Sequence, residues 1–329
     1  MRQNLIQKIG IPQIVVVLIA IVAPLILTGV NFSYGILILN FMLVYVVAVS
    51  GLDIVFGYSG QISLGHAAYY AIGAYGSVML HEYVGIPVIF SMIISAVAAA
   101  LIGIVIAYPA SRLRNHFLAL ATIAFGEIVY QLVAQSPGQI TGNFLGFFTD
   151  PVNLFGFEFD SNMSFYYFGL VVVVIFLLLK TNLVKSRTGR ALIAIRENSA
   201  AADGMGINVT LYKVIGFAFS ALYCGFAGGM YAHMVQFISP ETFMYRQSVM
   251  FMTMLLFGGM GNLWGPIIGV ITVTLLNEGL RALEEYQMFI YGALMLLVII
   301  ALPGGIFGKV KQLVDNTKSR RAQKNADVH

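Results

Sequence analysis

Apolar residues run along this chain in long stretches, interrupted by short polar or glycine-rich connections. The stretches fall at about residues 11–30, 33–56, 62–80, 86–110, 116–134, 164–180, 211–235, 246–260, 263–280 and 287–303. Each approaches the ~20 residues a helix needs to cross a hydrocarbon core. Backbone in such a core must satisfy its own hydrogen bonds, which leaves helices or closed barrels. The lengths select helices, so the pattern predicts an all-α integral membrane protein of about ten transmembrane segments. The third and eighth stretches are rich in glycine and are the two expected to be broken or re-entrant. No soluble domain separates from the rest. Residues 1–308 read as one transmembrane domain and residues 309–329 as a basic tail.

Charge adds a direction to this pattern. Only 10% of the residues are charged, against roughly 25% in soluble domains. With the N-terminus in the cytoplasm, Arg112, Arg114, Lys185, Arg187, Arg190 and Arg196 fall in inner loops. The tail bearing Lys309, Lys311, Lys318, Arg320, Arg321 and Lys324 falls inside as well. The long outer connection over residues 135–164 holds Asp150, Glu158 and Asp160 and no Lys or Arg. This asymmetry follows the positive-inside rule and predicts an even number of spans with both termini cytoplasmic. The net charge of +4 comes from these loops and the tail, and it is not a nucleic-acid signal. The run after Arg2 and Lys8 is long and shows no small-residue cleavage site, so a first spanning helix is expected there rather than a signal peptide. Cys224 is the sole cysteine, which excludes an intrachain disulfide and a thiolate metal cluster; no metal site is expected.

Five groups of residues could carry chemistry. The first is the segment at residues 57–76, where Ser59, Gln61, Ser63 and His66 lie close together between apolar runs. Intramembrane polar groups need buried partners, water or a passing solute. Ser63, Ala67 and Ala71 also form a small-residue stripe suited to close packing. Solute path and packed seam both remain open readings. The second group is Asp53 and Glu127, ionisable residues inside predicted spans, which face a bundle interior or a wet cavity. Glu127 is one turn from Tyr130 and Gln131, so a satisfied hydrogen-bond cluster is an equal reading.

The third group lies in the coupling segment at residues 181–212. A short helix is expected over residues 190–203, started by Thr188 or Gly189 and stopped by Gly204 and Gly206. Leu192, Ile195, Ser199 and Ala202 share one side, with Arg196 at its edge and Glu197 beyond. This helix lies on the inner leaflet or docks on a cytoplasmic partner. The fourth group is the run Gly261, Gly265 and Gly269, whose spacing lets two helix backbones approach closely. The fifth is Glu278 and Arg281, one turn apart and able to pair.

No phosphate-binding loop and no zinc-protease His pair is present. Gly57-Tyr-Ser-Gly60 matches the serine motif of rhomboid-type intramembrane proteases, which would pair Ser59 with a histidine such as His81, His116 or His233. A secondary transporter driven by an ion gradient through Asp53 or Glu127 is a further alternative.

A family resemblance emerges from these residues together. The block at residues 57–68 resembles the signature of the LivM branch of branched-chain amino-acid ABC permeases, in the LivH/LivM superfamily. Further blocks follow in the family's order. They are residues 112–128, residues 189–198 with 206–209, residues 238–243, residues 258–266 and a closing stretch at 303–308. The resemblance covers nearly the whole chain. It implies a membrane permease subunit that imports leucine, isoleucine or valine by alternating access at a heterodimer interface. The implied partners are a homologous LivH-type permease, two ABC ATPase subunits and an extracytoplasmic binding protein, in a bacterial or archaeal inner membrane. Gly189, Arg190, Leu192, Ile195, Arg196, Glu197 and Asn198 would form the ATPase-coupling segment. Ser59, Gln61, Ser63, His66 and Glu127 are candidates for the translocation path. The chain needs no cofactor of its own, since ATP would be bound by the partners. Urea and short-amide permeases share the opening signature and give an alternative cargo. The chain departs from the family in reading Thr141-Gly-Asn143 in the outer loop, and in carrying Asp53 where Asn is common.

Overall fold

A computed structural model describes residues 11–29, 32–111, 115–154 and 157–281, with scattered positions between 286 and 309. The apolar runs become helices: α1 (Ile11–Gly29), α2 (Ser33–Asp53), α3 (His66–Val84), α4 (Val88–Ala110), α5 (Asn115–Ala134) and α6 (Asn162–Lys185). The polar segment that follows forms α7 (Arg187–Glu197) and α8 (Ser199–Gly204). The chain then returns to the bundle as α9 (Val209–Val235), α10 (Tyr245–Gly258) and α11 (Gly265–Leu280). Among the described residues, 5 helices are long and apolar enough to cross a membrane: α2 with its extension, α4, α5, α6 and α9. The expected tenth span at residues 287–303 lies largely outside the described residues, as does the tail.

Helix α9 is the centre of the bundle and packs on α2, α3 and α4. Glycine makes this possible. A Cβ on Gly228 would collide with the Tyr70 carbonyl of α3, and one on Gly73 with the Gly225 carbonyl of α9. The two helices therefore touch backbone to backbone, as small residues permit in membranes. The outward face of α4 is apolar throughout, with Phe90, Ile93, Val97, Leu101 and Val105 exposed, which is the surface a lipid-facing helix presents.

Two expectations about the interrupted helices are sharpened. The third span was expected over residues 62–80, and its helix occupies His66–Val84 instead. Gly60 has a left-handed φ of 70°, which ends the preceding element. That element is itself distorted, because α2 runs into a π-helical turn at Ile54–Tyr58. Residues 59–65 are irregular, so α3 begins inside the bundle. Its first residue, His66, contacts Ser220, near the middle of the 27-residue α9. The eighth segment, α10, has only 14 residues, about 21 Å of helix. The two interrupted helices meet where the Ala67 N–H donates to Ser248 Oγ at 2.8 Å.

The expected single helix over residues 190–203 is corrected. The chain breaks at Asn198, whose φ of −158° and ψ of 105° are extended. Its side-chain oxygen accepts the N–H groups of Ala200 and Ala201 at 3.0 Å, starting α8 as a new helix. The start is also earlier than expected, at Ser186, whose hydroxyl accepts the Gly189 N–H. Such caps are worth ~1 kcal/mol each.

The long connection over residues 135–164 is partly ordered by two short pairings. Strand β1 (Phe147–Phe148) pairs antiparallel with β4 (Phe237–Ile238), just after α9, and β2 (Asn153–Leu154) pairs with β3 (Phe157–Glu158).

Candidate functional site

Three polar clusters among the described residues hold the candidate site residues. The deepest is the junction at the end of α2. Asp53 is fully buried and accepts a 2.7 Å hydrogen bond from Lys180 Nζ on α6. Its second oxygen accepts the Gly261 N–H, also at 2.7 Å, from the loop between α10 and α11. Lys180 reaches on to the Asn262 carbonyl at 3.3 Å. A buried charge is tolerated only when paired and hydrogen-bonded in this way. Glycine again sets the approach. A Cβ on Gly57 would run into the Asp53 carboxylate, and Gly261 adopts a left-handed φ of 72°. Gly261 was expected to line a helix seam with Gly265 and Gly269. It lies in the loop before α11, where its role is to turn the chain and donate to Asp53. Gly265 and Gly269 do form the seam, within the subunit, against Gly259 and the Met254 carbonyl.

Helix α7 joins the same junction. The Arg196 guanidinium donates to the Gly57 carbonyl, and the stem of Arg196 lies against Gly60. On the inner side of α7, Ala191, Leu192 and Ile195 are buried against the bundle, and Leu192 rests on Gly216 of α9. Arg190, Ile193, Arg196, Glu197 and Asn198 are exposed.

The second place is the start of α3. Ser59, Gln61, Ser63 and His66 are all buried. Gln61 donates to Ser59 Oγ at 2.6 Å. His66 sits between Ser63, 3.3 Å from Nδ1, and Ser220 of α9, 2.6 Å from Nε2. The Leu64 N–H is taken up by Thr122 of α5, and Cys224 points its thiol at the His66 carbonyl. Gln61 Oε1, Ser50 Oγ and the hydroxyls of Tyr69, Tyr70 and Tyr75 are buried without a protein partner. Such groups demand one, and they cluster on the elements around this break.

The third place is the outward face of α5. Glu127, Gln131 and Gln135 are exposed and stand one turn apart. Gln131 donates to Glu127 at 2.9 Å and Gln135 to Gln131 at 3.1 Å. They form a continuous polar column from mid-helix to the end of α5.

At the opposite end of the bundle from Arg196, His81 donates from Nδ1 to the Ile86 carbonyl at 2.8 Å, and its Nε2 lies 3.3 Å from Asp150 Oδ2. His233 is held by Ser77 and the Asp150 carbonyl. Neither is near Ser59, which lies beyond the other end of α3, so neither histidine serves it as the protease motif would require. Glu278 and Arg281 pair as expected, at 3.6 Å, with Tyr34 bridging them.

Sequence reasoning singled out Asp53, the residue-57 segment and Arg196, but not the partners the fold brings to them, Lys180, Thr122, Ser220 and Ser248. A lysine closing a long apolar run was the one available signal, and it was absorbed as a span boundary.

Interrupted helices, buried polar junctions and lipid-suited outer faces define a multi-pass integral membrane protein. The chain matches, over residues 34–299, the family described as branched-chain amino acid transport system / permease component, and it belongs to that family. It is 32% identical over 288 residues to the high-affinity branched-chain amino acid transport system permease protein LivM of Salmonella typhimurium and to that of Escherichia coli. Those alignments cover 80% of this chain and 68% of each relative. It is also 28% identical over 218 residues to the galactose/methyl galactoside import permease MglC of Salmonella typhimurium, covering 64% of this chain and 63% of that protein. No solved structure matches the chain.

Proposed function

We propose that this chain is a transmembrane permease subunit of an ATP-driven ABC importer for branched-chain amino acids. It works by alternating access against a homologous LivH-type permease in a bacterial or archaeal cytoplasmic membrane. Two separate ATPase subunits bind ATP on the side of α7, and an extracytoplasmic binding protein delivers leucine, isoleucine or valine.

The observation that carries this reading is the polar column on α5. A carboxylate facing hydrocarbon at mid-span costs about 2.5–3.5 kcal/mol. The column Glu127–Gln131–Gln135 therefore faces water or protein, and none of the described residues covers it. A solute path between two permeases supplies both. The break at α3 supports it, since irregular backbone at membrane depth is tolerated where it lines a cavity or is buried in protein. Around that break, Gln61, Tyr69, Tyr70 and Tyr75 hold the unpartnered polar atoms. The amphipathic α7, buried on one side and exposed at Arg190, Ile193 and Glu197 on the other, suits the docking of an ATPase. The names of the LivM relatives support the cargo, and the MglC relative makes a hexose its competitor.

The test is reconstitution of the permease pair, ATPases and binding protein in liposomes. ATP-dependent uptake of labelled leucine is expected, unaffected by excess galactose. Uptake by the permease alone under an ion gradient would replace the reading with a secondary transporter. Within that assay, Glu127→Leu is expected to lower leucine uptake at least about tenfold, the scale of one lost charged hydrogen-bonding group. Glu127→Gln, which keeps the column polar, should retain most of it. Equal uptake by Glu127→Leu and the wild type would remove Glu127 from the path.

A further inference from the structure

The junction at the end of α2 brings together four separate pieces of chain: the π-helical turn, α6, α7 and the loop before α11. Three glycines make room for them. A Cβ on Gly60 would come within 3.1 Å of Arg196 Cγ. One on Gly261 would come within 2.7 Å of Arg196 Nη1 and 3.1 Å of the Gly57 carbonyl. One on Gly57 would meet both Asp53 and the Gly261 nitrogen. Arg196 thus reaches the bundle with its guanidinium and stem, while the residue as a whole stays exposed at the edge of α7. Its guanidinium holds the Gly57 carbonyl. Gly57 is the fourth residue of the π-helical turn, and the irregular segment that sets the start of α3 follows directly. Asp53, one turn back, is fixed by Lys180 and Gly261.

We propose that Arg196 is the positioning residue that couples α7 to the irregular segment at residues 59–65. A displacement of α7 would pull on the Gly57 carbonyl and, through residues 59–65, on the position of His66 and the start of α3. The Asp53–Lys180 pair would act as the fixed point against which that turn moves. This rests on the transport reading above and assigns the inward half of the coupling helix a task distinct from docking. Glu197, on the exposed side, stays with docking.

The geometry offers a direct test. The built Cβ of Gly60 lies 3.5 Å from Arg196 Cβ, at the short end of the disulfide range of ~3.5–4.5 Å. The single native cysteine, Cys224, is buried and does not compete. In the reconstituted complex, Arg196→Ala should keep leucine-stimulated ATP hydrolysis while the leucine moved per ATP falls roughly tenfold, the scale of one hydrogen bond from a charged donor. Arg196→Lys should recover part of the ratio. The pair Gly60→Cys with Arg196→Cys should be uncoupled when reduced and recoupled when oxidised.

A proportional fall of hydrolysis and transport in Arg196→Ala would make the residue merely structural and overturn the proposal. So would an oxidised pair that stays uncoupled, or an unchanged ratio. If the wild-type complex shows no leucine-stimulated hydrolysis at all, the transport reading fails instead. Formation of the crosslink still decides whether α7 and the segment are in register.

Discussion

Lys180→Met is expected to destabilise the bundle by about 3–5 kcal/mol, because it strands the Asp53 carboxylate in a fully buried site. In thermal unfolding this is a drop on the order of 10 °C. The protein carries its own probe. Cys224 is the sole cysteine and is buried, so a thiol-reactive dye reports opening of the core. Asp53→Asn combined with Lys180→Met should cost much less. Asparagine still accepts the Gly261 N–H, methionine fills the volume of the lysine stem, and no charge is left unpaired. Removal of a whole buried pair is often close to neutral where removal of one partner is not. A single Lys180→Met variant that melts with the wild type would show that the pair is not closed in the folded protein.

The second large effect belongs to the seam between α3 and α9. Gly228→Val is expected to leave no correctly packed bundle. Its Cβ would occupy the position of the Tyr70 carbonyl, and that atom is held in the backbone of α3. Overpacking against a side chain costs about 1–3 kcal/mol. Here the obstacle is main chain, so the helices must separate along their length. Gly216→Ala, on the same helix, is the contrast. Its Cβ would meet only the end of Leu192, at 3.4 Å, and alanine improves helix propensity by up to about 1 kcal/mol. Comparable yield and size-exclusion behaviour is expected for Gly216→Ala and the wild type, with loss of the monodisperse peak for Gly228→Val. A monodisperse Gly228→Val protein would contradict the backbone contact.

Much of this arrangement was legible in the chain. Apolar run length places the helices because the hydrocarbon thickness sets it. Glycine density marked the third and eighth segments as the irregular ones, and α3 and α10 are the helices that start or stop inside the bundle. Gly265 and Gly269 pack against the backbone of Gly259 and Met254. What escaped was partnership at long range. Asp53 was visible as an intramembrane charge, but its partner lies 127 positions away, and no local pattern ties the two. His66 likewise depends on Ser220, 154 positions on. The break at Asn198 escaped for another reason. The spacing of Leu192, Ile195, Ser199 and Ala202 continues as though the helix were whole. The asparagine ends it through a side-chain bond that periodicity does not register. Arg196 was placed at the edge of the apolar side of that helix, and only the fold shows that the edge turns towards Gly57.

The ion pair between α2 and α6 also bears on how the chain is made. A ribosome adding roughly 5–20 residues per second takes on the order of 6–25 s to cover the 127 residues from Asp53 to Lys180. For that interval the second helix leaves the ribosome with a carboxylate that has no counter-charge, and α3, α4 and α5 are synthesised before one arrives. Settling of α2 into lipid is thereby tied to the arrival of α6. The junction at the end of α2 can close only once Lys180 has been made.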